Sequence, residues 1–138
     1  MTIEADFIWP VRVYWEDTDA GGVVYYANYL KFMERARTEW LRSRGLVQST
    51  LEAEQGVVMV MRDISARYIA PARLDDELAV TVILKRVRGA SFAVTQEIYR
   101  QADEVLLVEG EGSAACLDAK SWTPRRFPEV LKGVFQPG

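Results

Sequence analysis

One long amphipathic helix pattern near the start of the chain, followed by four strand-like runs, constrains the fold more than any other feature. Apolar residues recur at helical spacing from about Ala27 to Arg44 and form one broad face. Asn28 is predicted to cap its start, and Gly45 to stop it. Because a surface helix would show a narrow apolar stripe, this broad face predicts a helix that a sheet covers.

The rest of the chain is predicted to be mainly β-structure. A strand is expected over residues 11–16 and a short helix from Ser49 to Glu54. Four further strands are expected over 57–70, 78–86, 91–100 and 105–117, the last with a bulge at Gly110 or Gly112. One helix cannot supply the crossovers of a parallel sheet. We therefore predict an α+β fold, an antiparallel sheet wrapped around the long helix, as a single domain over residues 1–138.

The absence of histidine narrows the chemistry that this chain can perform. With no His and one cysteine, Cys116, the sequence contains no Ser-His-Asp triad, no Cys-His pair and no His-based zinc motif. We expect a buried structural thiol at Cys116 because it lies in an apolar strand pattern. A general base must then be a carboxylate or, less favourably, Lys, Tyr or Cys.

Charge and hydropathy give expectations about partners and location. The net charge of -3 argues against a general nucleic-acid binder, which would be basic. The first residues lack the pattern of a signal peptide, and no stretch has the ~18 apolar residues that span a bilayer. The expectation is a cytoplasmic protein with no membrane span.

The segment from Asp17 to Gly22 is the best candidate for a chemical site. It places two aspartates and two glycines between a strand and the start of the long helix. A helix start offers unpaired N–H groups that stabilise a developing oxyanion. A carboxylate facing the same point can activate water or attack a carbonyl. Together these groups would make an acyl-transfer site without histidine.

Two simpler interpretations of this loop exist. Both aspartates can act only as turn formers, the commoner role for such a motif. A calcium loop would use Asp17, Asp19 and Gly22, but Asn28 stands where a bidentate Glu is required, and the preceding segment is predicted as a strand.

A wider motif favours the chemical interpretation. Residues 11–37, VRVYWEDTDAGGVVYYANYLKFMERAR, resemble the hotdog-fold acyl-CoA thioesterases, in particular the YbgC-like, Tol–Pal-associated group related to the 4-hydroxybenzoyl-CoA thioesterases. The likeness extends over nearly the whole chain. It implies hydrolysis of a small acyl- or aroyl-CoA by a cytoplasmic homodimer or homotetramer with active sites at the dimer interface. An acyl carrier protein is a further partner to consider, and no cofactor or metal is implied.

The resemblance also implies roles for individual residues. Asp19 matches the catalytic carboxylate, as general base or nucleophile, and the N–H of Tyr26 or a neighbour matches the donor that polarises the carbonyl. Gly22 and Val23 are expected to contact substrate, while Asp17 and Thr18 shape the loop. The YbgC-like pattern usually has His where Tyr26 stands, whereas the 4-hydroxybenzoyl-CoA type has Tyr. A backbone role survives that difference, but an imidazole role does not.

A basic turn is the candidate site for the CoA phosphates. Lys85, Arg86 and Arg88 cluster beside Gly89, and the resemblance extends the CoA contacts to Arg88 and Ser91. An exposed turn with no ligand is the alternative. Arg35, Arg37, Arg125 and Arg126 are expected at the surface or at an interface.

Other functional classes remain as alternatives at this level. A hotdog hydratase or dehydratase would commonly use a histidine, which this chain lacks. A non-catalytic acyl-CoA or lipid-binding module, or a scaffold protein, would keep the pocket without needing Asp19. The intact motif around Asp19 favours the enzyme.

Overall fold

The computed structural model describes residues 3–135, which form one antiparallel sheet and one long helix. The strands are β1 (Phe7–Arg12), β2 (Val57–Tyr68), β3 (Glu77–Val87), β4 (Ser91–Arg100) and β5 (Val105–Asp118). Their order in the sheet is β1-β3-β4-β5-β2, and every neighbouring pair is antiparallel. Helices α1 (Asn28–Ser43) and α2 (Gln48–Gln55) precede β2. The predicted α+β hotdog arrangement is confirmed.

Helix α1 packs on the inner face of the sheet because its apolar side is broad. Phe32, Met33, Ala36 and Trp40 on this side are all buried, and the Trp40 ring contacts Phe92 of β4 at 5.9 Å between centroids. The helix ends as predicted. Gly45 has a φ of 88°, and the Leu46 N–H bonds the Leu41 carbonyl, so a left-handed residue closes the last turn.

The glycines of β5 allow the helix and the sheet edge to approach closely. A Cβ at Gly110 would lie 2.8 Å from Met33 Cε, and a Cβ at Gly112 would lie 2.7 Å from Met61 Cε. The predicted bulge at these glycines is wrong. The bulge of β5 against β4 is at Leu107 instead: Ile98 pairs with Val108 and Tyr99 with Leu106, so Leu107 has no partner in β4.

Three further expectations need correction. The strand predicted over 11–16 begins at Phe7 and ends at Arg12, because Trp15–Asp17 form a short 3-10 turn. Asn28 is the first helical residue and not the cap, since its side chain bonds Asp17. Arg37 is buried instead of exposed: its Nη1 donates to Gln96 Oε1 at 2.8 Å, and burial lowers its pKa.

The remaining elements agree with the sequence. The short helix and the four later strands lie within two residues of their predicted bounds, and Cys116 is buried in β5. Within residues 3–135, no helix is long and apolar enough to cross a membrane.

Candidate active site

The loop between β1 and α1 is organised around a buried carboxylate. Asp17 is only 5% exposed and accepts hydrogen bonds from the Tyr14 N–H at 2.8 Å and from Asn28 Nδ2 at 3.0 Å. Its own carbonyl accepts the Tyr25 N–H at 2.9 Å. Asp17 therefore connects both ends of the loop to the first turn of α1. This role leaves its carboxylate no room for a substrate.

Asp19 lies in the opposite environment, exposed at the tip of the loop. Its carbonyl accepts the Gly22 N–H at 3.0 Å, which closes a turn, and Oδ1 accepts the Gly21 N–H at 2.8 Å. A Cβ at Gly21 would lie 3.1 Å from that Oδ1, so glycine there leaves room for the carboxylate. Gly22 has a φ of 76°, which favours glycine. The loop thus presents one carboxylate to solvent in a fixed turn.

The other loop residues join this turn to the helix. Val23 pairs with Arg73, and the Val24 N–H donates to the Ala72 carbonyl at 2.9 Å. The neighbouring Tyr26 side chain is the main cause of a raised pKa at Tyr25, and the negative charge of Asp19 adds a smaller part. Asp19, Gly22, Val23 and Tyr26 therefore lie in one continuous surface loop, as the sequence predicts.

The start of α1 offers two successive N–H donors. Within residues 3–135, neither the Tyr26 N–H nor the Ala27 N–H donates a hydrogen bond. Such unpaired donors are normal in the first turn of a helix, where the dipole is also positive. The carbonyl of Tyr25 accepts the Asn28 N–H at 2.8 Å, which fixes the peptide group carrying the Tyr26 N–H. These donors can hold an oxygen atom that gains negative charge.

An aromatic cavity adjoins the helix start. Its volume is about 260 Å³, and it is lined by Val24, Tyr26, Tyr29, Tyr68, Ile69, Ala70 and Pro71. The Tyr68 ring lies 6.2 Å from that of Tyr26 and 5.6 Å from that of Tyr29. Burial raises the pKa of Tyr29, whose hydroxyl accepts the Ala72 N–H. The cavity is small and mainly apolar.

The predicted phosphate-binding residues lie elsewhere in the same chain. Arg88 and Ser91 form the β3–β4 turn, in which the Arg88 N–H donates to the Ser91 carbonyl at 2.8 Å. The Asp19 loop instead follows β1, whose end pairs with the start of β3 at Glu77. Eleven residue steps along β3 separate Glu77 from Arg88, or roughly 35 Å. One chain therefore does not bring Asp19 and Arg88 together.

The sequence did not indicate three relevant contacts, those of Tyr68, Asn28 and Arg126, although Asn28 was named as a helix cap and Arg126 as a surface residue. Asn28 bonds the Asp17 carboxylate, 11 positions before it in the chain. Tyr68 bonds the Tyr26 carbonyl at the helix start, 42 positions before it. Arg126 places its guanidinium over the β3–β4 turn, where a Cβ at Gly89 would lie 3.2 Å from its Nη1. Only the polarity of Asn28 on an otherwise apolar helix face signalled its role.

Comparison with known proteins identifies the family. The model of the thioesterase-like superfamily matches residues 13–135. The chain belongs to this superfamily. It is 47% identical over 130 residues to the acyl-CoA thioester hydrolase YbgC of Escherichia coli O6:H1, covering 94% of this chain and 96% of that protein. It is 41% identical to the acyl-CoA thioesterase YbgC of Haemophilus influenzae, covering 96% of both.

Solved structures agree with this membership. A probable thioesterase from Bartonella henselae superimposes with a TM-score of 0.82 at 35% identity, covering 88% of this chain and 98% of that one. A 1,4-dihydroxy-2-naphthoyl-CoA thioesterase from Synechocystis has a TM-score of 0.87 at 23% identity, with 94% of each chain covered, and shows the shared fold. The resemblance stated from the sequence is confirmed.

Proposed function

We propose that the protein hydrolyses an acyl-CoA thioester to a free acid and CoA, with Asp19 as the reacting carboxylate. The enzyme class rests on the relatives, since the curated YbgC proteins carry this activity in their names and match almost the whole chain. The observation that supports the role of Asp19 is its exposure, in a fixed turn, on the loop that leads to two open helix N–H donors. Asp17, its neighbour in the motif, is buried, and both of its carboxylate oxygens accept hydrogen bonds from the loop and the helix start.

The helix start supplies the electrostatic part of the mechanism. As the carbonyl carbon becomes tetrahedral, its oxygen gains charge, and the N–H groups of Tyr26 and Ala27 stabilise that charge. These donors are backbone groups, so the mechanism does not need a histidine at position 26. Donors of this type typically contribute a factor of about 10²–10³ in kcat.

Asp19 supplies the second part by either of two routes. As a general base it takes a proton from water while the water oxygen bonds the carbonyl carbon, and the C–S bond then breaks. As a nucleophile its oxygen bonds the carbonyl carbon, the C–S bond breaks, and water hydrolyses the resulting mixed anhydride. In both routes the thiolate of CoA leaves and is protonated, so little acid assistance is required.

The aromatic cavity favours a small acyl or aroyl group. Its volume of about 260 Å³ and its tyrosine rings fit a short aliphatic chain or one aromatic ring better than a long fatty chain. Gly22 and Val23 lie on the loop that carries Asp19, and we expect their backbone to contact the substrate.

We further propose that the active enzyme is a homodimer, or a tetramer of such dimers, in which the partner supplies Arg88 and Ser91. Strand β2 lies at the sheet edge, and its second half carries exposed apolar side chains, Ile64 and Tyr68. The other edge, β1, is short and contains Pro10, which cannot donate to another strand. Antiparallel pairing of β2 with its copy would bring the far end of the partner's sheet to the Asp19 end, within reach of the extended CoA chain.

The test of the activity is release of free thiol from a panel of short, long and aromatic acyl-CoAs. Asp19→Asn keeps an acceptor for the Gly21 N–H, and we expect kcat to fall by a factor of about 10² or more. Glu16→Gln removes a second exposed carboxylate from the same loop and should leave kcat unchanged. Wild-type turnover in Asp19→Asn would refute the role of Asp19. No turnover of any acyl-CoA would favour an acyl carrier protein substrate or a binding function.

Mixing the Asp19→Asn and Arg88→Ala variants tests whether two subunits share each site. In a hybrid of Asp19→Asn and Arg88→Ala subunits, one site carries both changes and the other carries neither, if the partner supplies Arg88. At substrate concentrations below KM, the mixed and re-equilibrated sample should therefore exceed the sum of its parents. No gain, with native mass spectrometry confirming hybrid formation, would refute the contribution of the partner's Arg88.

A further inference from the structure

We propose that Tyr68 is a positioning residue for the thioester carbonyl, an inference that rests on the proposed hydrolysis. The Tyr68 hydroxyl, at the end of β2, donates a hydrogen bond of 3.1 Å to the carbonyl oxygen of Tyr26. This contact joins residues 42 positions apart in the chain. It connects the sheet edge directly to the first turn of α1.

The bond acts on a peptide group that carries one of the two open donors. The Tyr26 carbonyl and the Ala27 N–H belong to the same planar unit, so fixing the direction of one fixes the other. Neither group takes part in the hydrogen-bond ladder of α1 within the described residues. This peptide lies at the centre of the turn that the Asn28 N–H closes on the Tyr25 carbonyl, and Tyr68 adds a hydrogen bond that holds the direction of the Ala27 N–H within that turn.

The neighbouring donor is held in a different way. The Tyr26 N–H belongs to the peptide group whose carbonyl, that of Tyr25, accepts the Asn28 N–H at 2.8 Å. The helix backbone itself fixes that group. A hydrogen bond to a carbonyl also polarises the N–H of the same peptide and strengthens its hydrogen bonds by about 10–30%. Tyr68 would thus both aim and strengthen the Ala27 donor.

The Tyr68 side chain is itself held in place by its surroundings. Its ring packs against Tyr26 and Tyr29. The Tyr29 hydroxyl accepts the Ala72 N–H at 3.0 Å, so that ring is anchored in turn. In the sheet, Tyr68 pairs with Val108 of β5. The hydroxyl is consequently presented to the Tyr26 carbonyl by a rigid support.

The ring and the hydroxyl of Tyr68 have separable effects. The ring lines the aromatic cavity and so contacts the acyl group, whereas the hydroxyl faces the backbone. Tyr68→Phe removes only the hydroxyl. We expect kcat to fall about three- to tenfold, with KM within twofold of wild type, and by the same factor for every acyl group.

Tyr99→Phe is the matched control. Tyr99 lies on β4 of the same sheet, where burial and the neighbouring Glu97 carboxylate raise its pKa. This variant should keep the wild-type kcat and KM. A Tyr68→Phe enzyme with unchanged kcat, or with a loss that varies between acyl groups, would overturn the proposal.

An infrared measurement separates this proposal from the proposed function. In the Asp19→Asn background, the carbonyl stretch of bound, unreacted acyl-CoA reports how strongly the helix donors polarise it. Adding Tyr68→Phe should move this stretch towards its value in water, and adding Tyr99→Phe should not. An unmoved stretch would overturn the role of Tyr68 even if thioesters are hydrolysed. A moved stretch would support that role even if the wild type proved slow on every acyl-CoA tested.

Discussion

The loop before α1 and the β3–β4 turn both carry predicted site residues, but the chain holds them very differently. In the loop, buried Asp17 accepts hydrogen bonds from Tyr14 and Asn28. In the turn, the carbonyls of Gly89 and Ala90 accept the N–H groups of Phe127 and Cys116, but the Arg88 side chain is exposed. Pre-organised donors lower the barrier of the reaction, whereas a mobile cation on a long side chain mainly holds the substrate. The comparison predicts that damage to the loop lowers kcat and damage to the turn raises KM.

The largest effect after that of Asp19 is expected at Asp17. Asp17→Ala removes the acceptor of the half-buried Tyr14 N–H and of the buried Asn28 amide, which should cost about 2–4 kcal/mol of unfolding free energy. The loop and the helix start would lose their shared anchor, so kcat should fall as well. Urea unfolding and thiol release, both at one protein concentration, measure the two effects.

Asp19→Asn is the matched control for Asp17→Ala. Asp19 is exposed, so its replacement should leave the unfolding free energy within about 0.5 kcal/mol of wild type. Equal stability losses in the two variants would contradict the division between an anchoring and a reacting aspartate.

The smallest effect is expected at the turn. Arg88→Ala should raise KM for acyl-CoA about three- to tenfold and leave kcat nearly unchanged, because an exposed guanidinium contributes about 1 kcal/mol to a phosphate contact. Lys120→Ala, an exposed cation in the turn after β5, is the control and should leave KM unchanged. A fall in kcat for Arg88→Ala with an unchanged KM would contradict the assignment of substrate binding to the turn and of catalysis to the loop.

The sequence predicts the fold well where one pattern dominates. The bounds of α1 follow from its apolar face and from Gly45, and β4 was predicted at its observed limits. The end of β1 was missed because the bond from the Tyr14 N–H to Asp17 competes with strand pairing. Arg37 was expected at the surface because its burial depends on Gln96, a residue 59 positions away.

The candidate site was predictable only in its local part. Asp19, Gly22, Val23 and Tyr26 are near in sequence, so the motif identifies them together. Tyr68 comes to the helix start through the pairing of β2 with β5, which no local pattern encodes. The separation of Arg88 from Asp19 within one chain also depends on strand order. The roles of all these residues stay predictions.

The most direct test compares acyl-CoA with the same acyl group on N-acetylcysteamine, a short thiol that lacks the CoA phosphates. Our account predicts that Asp19→Asn lowers kcat/KM by a factor of about 10² or more on both substrates. Arg88→Ala should impair only the reaction of acyl-CoA. An Asp19→Asn variant that hydrolyses the short thioester at the wild-type rate would contradict the assignment of the chemistry to this loop.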